Sequence, residues 1–338
     1  MGKVINRQWQ LAARPEGMVG EEPFRWVEAP APEVSADGQV LVRTLMLSCD
    51  PTQRGWMARD TYLPAVGIGE VMRSFGVGRV VASRHPDHAP GDLVQGLLGW
   101  QDYALLDATS AARLSAVPPG VPIPLAMSVF GITGLTAYFG LLDVGRPNPG
   151  ETVVVSGAAG ATGSVVGQIA HLKGCRVVGI AGGAEKCRWL VEEARFDAAV
   201  DYRGEDVAAR LGELCPNGVD VFFDNVGGGI LDAALARLAF RGRVVICGAI
   251  ADYNRSEPGP GPSNYLNLLL QRGRMEGFII LDYLGRAAEA VAAMAPWVAA
   301  GELKVQVDIQ EGLEHAPRTL RRLFTGENRG KQLLKVAD

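Results

Sequence analysis

Up to about residue 125 the chain sets short apolar runs, Val40–Leu47, Val77–Ala82 and Leu93–Leu98, between turns rich in Pro, Gly and Asp. Runs of that length bounded by turn residues predict strands, and their density predicts a compact β-rich domain over 1–125. From about residue 126 the period changes. Apolar runs at 152–157, 175–181, 198–202, 219–224, 243–249 and 275–281 alternate with stretches of helical spacing. That rhythm predicts an α/β domain over 126–294, a Rossmann doubly wound sheet of six parallel strands. Beyond Leu284 the pattern predicts an amphipathic helix to about Ala300, a short strand Val305–Ile309 and a basic helix His315–Phe324. The segment 295–338 is expected to return to the first domain. The run Glu257–Ser263, alternating Pro and Gly, is expected to be a mobile loop after the fifth strand.

One stretch mimics a membrane span. Leu114–Leu142 carries no charged residue, but Pro118, Pro119, Pro122 and Pro124 break it and leave only 125–142 for a single helix. A buried crossover helix at the domain junction is predicted there, and no membrane partner.

Composition narrows the class. A length of 338 residues with 48% apolar and 21% charged positions suits a globular protein of two domains. The net charge of −4 offers no electrostatic reason to bind nucleic acid or an acidic membrane. The cysteines Cys49, Cys175, Cys187, Cys215 and Cys247 are odd in number and scattered, which predicts reduced thiols in a cytoplasmic protein. The residues Met1–Gln8 lack the apolar core of a secretory leader, and Asn6 stands where a myristoylation signal wants Ser or Thr.

Chemistry enters at Thr152–Gly163, where an apolar strand runs into a glycine-rich turn and then into a helical pattern from Ser164 to Lys173. Gly160 lets backbone approach a pyrophosphate, Gly163 allows close helix–strand packing, and the helix N-terminus offers N–H groups and the positive end of its dipole. Ala158 replaces the first glycine of the usual pattern. The second strand ends at Ala181 and is followed by Gly182-Gly-Ala-Glu-Lys186. A site selective for NAD places Asp or Glu there for the ribose 2′-hydroxyl. Small residues and Lys186 suit a 2′-phosphate instead, although Glu185 opposes it. Taken alone, Lys186 is equally explained as a solvated helix lysine. Tyr202, closing the third strand on the same rim, tips the reading to NADP(H).

Further pieces carry a family resemblance: Gly131-Ile-Thr-Gly-Leu-Thr-Ala-Tyr138 entering the nucleotide domain, Ala158–Gly167, Phe223-Asp-Asn-Val-Gly-Gly228, Cys247-Gly-Ala-Ile-Ala-Asp-Tyr-Asn254 and Gly326-Glu-Asn-Arg-Gly-Lys331. In order and over nearly the whole chain they resemble the zinc-independent medium-chain dehydrogenase/reductases. Within these the chain is most similar to the prostaglandin reductase and leukotriene B4 12-hydroxydehydrogenase group, which includes bacterial NADPH-dependent curcumin reductases. Asp50–Met57 and Gly69–Met72 resemble the same group, with Thr52, Gln53 and Trp56 departing from its commoner residues.

The resemblance implies a GroES-like catalytic domain at the N-terminus and a cofactor site of named residues. Gly160, Ala161, Thr162 and Gly163 would hold the pyrophosphate, and Lys186 and Tyr202 the adenosine phosphate. Asn225, Cys247, Gly248, Ala249, Ile250 and Tyr253 would follow the cofactor along the sheet edge. Phe278, Ile279 and Ile280 on the sixth strand, with Asn328 from the tail, would border the nicotinamide. Asn225 also draws attention by itself, since a buried amide ending a strand otherwise lacks partners. Arg54, Met57 and Tyr62 would wall the substrate pocket.

Zinc is not expected. A catalytic zinc needs three protein donors and an open position. Cys49 and Asp50 stand near where a zinc-dependent relative has its first ligand, but Gly69-Glu70 lacks the accompanying histidine. His85 and His88 form a spaced pair in a polar turn, and His171 and His315 read as surface residues. Without metal, an enone or enal accepting a hydride at its β-carbon needs a hydrogen-bond donor at the carbonyl oxygen, where charge gathers as an enolate. As a bare feature Tyr253 is a loop tyrosine of packing or surface type. By resemblance it is that donor, together with the cofactor's ribose hydroxyl. The α-carbon proton comes from Tyr253 or from water. The expected activity is therefore NADPH-dependent reduction of the carbon–carbon double bond of enones and enals by a homodimer. A quinone reductase and a non-catalytic NADPH-binding redox sensor or structural crystallin are the alternatives.

Overall fold

A computed structural model describes residues 4–257 and 259–338; Met1–Lys3 and Pro258, inside the expected 257–263 loop, lie outside it. The chain divides into two units. Unit 1 takes the residues up to Met127 with Asp308–Asn328 and Gln332–Asp338, and unit 2 takes Ser128–Val307 and Arg329–Lys331. The return to unit 1 thus starts at Asp308, not at 295, because the Ala287–Ala299 helix and the residues after it cluster with unit 2.

Unit 1 begins with an antiparallel hairpin of β1 (Ile5–Leu11) and β2 (Phe24–Pro30). Its main sheet contains β3 (Val40–Ser48), β4 (Phe75–Ser83), β5 (Leu93–Leu97), β6 (Tyr103–Leu106) and β7 (Ser115–Ala116). Strand β3 pairs antiparallel with both β4 and β6, and along it only Arg43 is exposed, as a strand covered on both faces requires. The core gathers Leu11, Val42, Leu47, Trp56, Trp100 and Leu320.

Unit 2 holds β8 (Thr152–Ser156), β9 (Arg176–Ala181), β10 (Ala198–Asp201), β11 (Val219–Asp224), β12 (Leu238–Ile246) and β13 (Arg274–Gly277). They form one six-stranded sheet in the order β10-β9-β8-β11-β12-β13, parallel at every pairing. This is the expected doubly wound order, with its reversal between β8 and β11. The strand interiors are almost wholly apolar because parallel sheets bury both faces. Val153, Val154, Val155, Phe222 and Phe223 are fully buried.

Three expectations are corrected here. The sixth strand ends at Gly277, since its partner β12 ends at Ile246, the residue paired with Gly277. Phe278 and Ile279 follow the strand, and Ile280 opens a 3-10 turn, Ile280–Arg286. The stretch 125–142 is not one helix: a short helix Ile123–Ala126 and a turn at 127–130 precede a helix Ile132–Phe139, which continues as π-helix Gly140–Gly145. Tight packing fixes that course, for a Cβ on Gly134 would fall 1.9 Å from the Val129 carbonyl oxygen and one on Gly140 2.4 Å from the Phe278 ring. The strand expected at 305–309 lies at Val307–Glu311 (β14), and Lys331–Lys335 (β15), absent from the sequence reading, pairs with β3. Among the described residues no helix is long and apolar enough to cross a membrane.

Candidate active site

The glycine turn leaves β8 at the carboxyl edge of the unit 2 sheet. Gly157, at φ +58°, takes the left-handed position that opens the turn, a role the sequence pattern had no residue for once Ala158 replaced the expected glycine. Gly160 caps the Ala161–Leu172 helix in extended conformation and, lacking a side chain, makes no capping hydrogen bond of its own. A Cβ on Gly163 would lie 2.4 Å from the Gly157 carbonyl oxygen and 2.9 Å from the Ala158 Cα, so turn and helix meet at backbone distance. Ala161 and Thr162 form the first turn of that helix.

At the topological reversal β8 and β11 are tied by polar groups. The Ser156 hydroxyl donates to the buried Asp224 carboxylate at 2.7 Å and accepts the Asn225 N–H at 2.8 Å. Asp224 also accepts the N–H groups of Val226 and Gly227. Burial raises the Asp224 carboxyl pKa, opposed first by the Ser156 hydroxyl and then by those N–H groups. Asn225 is not the unpartnered amide the sequence suggested: its Nδ2 donates to the Ser156 carbonyl at 2.7 Å. The residue ties the two strands whether or not it also meets a ligand. Sequence reasoning gave Asp224 no role, though an acidic residue closing the apolar run Val221–Phe223 was the signal.

The segment after β12 is laced onto these residues. Cys247 and Gly248 donate to the Asp224 carbonyl, Ile250 to that of Asn225 and Ala251 to that of Val226. Burial first, and then the nearby Asp224 charge, pushes the Cys247 thiol up to about 12, which keeps it protonated at neutral pH. Tyr253 turns back over this segment, and its hydroxyl accepts the Ala249 N–H at 3.2 Å. Gly248 makes room, since a Cβ there would stand 3.1 Å from the Tyr253 oxygen.

Past the ends of β9 and β10, Tyr202 lies against Gly182, where a Cβ would fall 2.7 Å from its hydroxyl. Gly182 therefore seats the tyrosine. Lys186 is half-buried in the helix Ala184–Glu192, and its neighbour Glu185 pairs with Arg329 at 2.7 Å. An open hollow of about 460 Å³ is lined by Tyr202, Val207, Val226, Gly227, Ile230 and Ala251. Phe278 packs by its edge on Phe223 and Tyr283, while Ile279 and Ile280 are half-buried.

Asn328 and the three expected pocket residues belong to unit 1. Asn328 is buried. Arg54 and Met57 are buried, 3% and 0% exposed. They sit one turn apart on the inner face of the Thr52–Ala58 helix. The Arg54 guanidinium is occupied by the carbonyls of Pro15 and Gly17, at 2.9 and 3.2 Å, and burial lowers its pKa. Tyr62 is exposed, with its hydroxyl 2.9 Å from the Thr52 hydroxyl and its ring edge-on to Trp56.

Comparison with known sequences and structures places this arrangement. The profile described as the N-terminal domain of oxidoreductase matches residues 7–114, and that described as zinc-binding dehydrogenase matches 161–299. The chain is 44% identical to the NADPH-dependent curcumin reductase of Escherichia coli (strain K12) across 99% of this chain and 98% of that protein. It is 38% identical to prostaglandin reductase 1 of Rattus norvegicus across 98% and 99% of the two chains. The crystal structure of CurA in complex with NADPH from Vibrio vulnificus superposes with a TM-score of 0.92 at 40% identity, covering 98% of this chain and 99% of that one. The chain belongs to the medium-chain dehydrogenase/reductase family, in the group that contains the prostaglandin and bacterial curcumin reductases.

Among the described residues no group of three or more His, Cys, Asp or Glu side chains could hold a metal ion. His85 and His88 stack with ring centres 4.9 Å apart, but His88 is bonded to the Ala111 carbonyl and no third donor joins them.

Proposed function

We propose that this protein is an NADPH-dependent reductase of the carbon–carbon double bond in α,β-unsaturated ketones and aldehydes. The names of its curcumin and prostaglandin reductase relatives support the reaction class. The observation that carries it in this chain is the segment Cys247–Tyr253, which holds a tyrosine hydroxyl at the carboxyl edge of the sheet beside the β8–β11 reversal, where open α/β folds bind ligands.

The residues present fit NADPH. The glycine-capped helix N-terminus at Gly160–Gly163 has the form of a pyrophosphate cradle. The hollow beside Tyr202 and Val226 suits the adenine, and Lys186 and Tyr202 suit the 2′-phosphate. Asn225, Cys247, Gly248, Ala249 and Ile250 would run along the rest of the cofactor, with Phe278, Ile279, Ile280 and Asn328 toward its nicotinamide. Bound there, NADPH supplies the hydride. Tyr253 donates its proton in a hydrogen bond to the substrate carbonyl oxygen as enolate charge develops, the kind of interaction that grows in the transition state. Tyr62, the exposed member of the unit 1 trio, is proposed to touch substrate.

NADPH consumption with a simple enone, a quinone and a panel of alcohols, with and without a chelator, tests this. Enone turnover unchanged by the chelator is expected. Turnover of the quinone alone would replace this reading with a quinone reductase, and tight NADPH binding without turnover would replace it with a sensor or structural role.

The protein is further proposed to act as a homodimer in a reducing compartment. Strand β13 is an exposed edge of its sheet. Beside it Leu268 of the Leu266–Gln271 helix faces the core, while Leu266, Leu269 and Leu270 are exposed, Leu269 to 73%. An apolar helix face next to an unpaired strand edge is the kind of surface a two-fold dimer covers. Multi-angle light scattering at micromolar concentration is expected to return twice the chain mass, and a monomer would defeat this part. All five cysteines are free thiols, in keeping with the compartment.

A further inference from the structure

The tail sends Arg329–Lys331 into unit 2. Gly330 donates to the Ala159 carbonyl at 3.1 Å and forms a parallel bridge with Gly160, which lays the segment on the glycine turn. Only glycine serves there: φ is +66°, and a Cβ would fall 2.0 Å from the Gln306 carbonyl oxygen. Anchoring Gly330 fixes the start of its neighbour's side chain, and Arg329 reaches Glu185 with Nη2 2.7 Å from Oε2. Glu185 stands in the first turn of the helix after β9, next to Lys186. That is the region where an acidic side chain selects a ribose 2′-hydroxyl and repels a 2′-phosphate. Both partners are more than half exposed, so the pair adds little to folding stability. Its effect falls on charge brought beside it.

We propose that Arg329 is a cofactor-specificity residue: by pairing with Glu185 it neutralises the acidic side chain that opens the helix after β9 and admits a 2′-phosphorylated dinucleotide. This rests on the reading of the site as an NADPH site. It differs from a direct phosphate contact, because here the arginine works through the glutamate.

The test uses the full chain as wild type, Arg329→Gln, Glu185→Gln and the double variant, with NADPH and NADH affinities measured by calorimetry at low and high salt. Arg329→Gln is expected to weaken NADPH roughly tenfold at low salt, as an unpaired carboxylate near a phosphate dianion would, with less effect at high salt and little on NADH. Adding Glu185→Gln to that variant is expected to recover most of the loss. A loss that Glu185→Gln does not recover overturns the proposal in favour of direct contact. Equal losses for NADPH and NADH overturn it in favour of simple support of the glycine turn. An unchanged preference in Arg329→Gln overturns it alone, whereas a wild type that binds both cofactors equally overturns the NADPH reading as well.

Discussion

Replacing Tyr253 with phenylalanine is expected to lower kcat about a hundredfold while leaving NADPH affinity in place. Loss of one donor to a developing oxyanion typically costs about 2.7–4 kcal/mol, and the lower end applies because the cofactor's ribose hydroxyl would remain as a partial substitute. The ring is kept, so the packing over Gly248 is kept with it. The Ala249 N–H loses its acceptor, a change of about 0.5–1.5 kcal/mol in stability that a thermal melt would register separately. Steady-state kinetics with a simple enone, with a deuterated cofactor to establish that hydride transfer limits the rate, are the measurement. A near-normal kcat in a folded variant would make Tyr253 a pocket wall and move the donor elsewhere.

Lys186→Ala is expected to weaken NADPH by about 1.5–3 kcal/mol, the range for a hydrogen bond to a charged group, and to leave NADH nearly unchanged. On the proposed site the selectivity follows from what the two cofactors share: both would present a pyrophosphate to the Gly160–Gly163 turn, and only one would present a 2′-phosphate to Lys186. Titration of each cofactor by tryptophan fluorescence would measure it. Equal losses would reject Lys186 as the phosphate partner and attribute its half-buried position to packing.

Some of the site was legible in the sequence because its determinants are local. The strand, turn and helix at 152–172 follow from an apolar run, glycines and a resumed helical period, and each needs only a few neighbouring residues. Even there the reading noted only that Ala158 replaces the first glycine of the pattern, and the left-handed residue is Gly157. The burial of Arg54 and Met57 was not legible in the sequence. A family pattern gave their type and place, but burial depends on which helix face meets the core, and both face inward.

The sequence by itself determined the alternation of strands and helices, hence the class of sheet, and the glycine-rich turn with its following helix. Periodicity and backbone sterics act over a turn or two and are written in the chain directly. Only the tertiary structure decided the rest. Ser156 meets Asp224 across 68 positions, and Glu185 meets Arg329 across 144. No local rule joins such residues. They pair because closure of the sheet and return of the tail bring them within hydrogen-bond reach, where the loss of water makes a partner necessary for the buried carboxylate and where charge pairing forms at the exposed one.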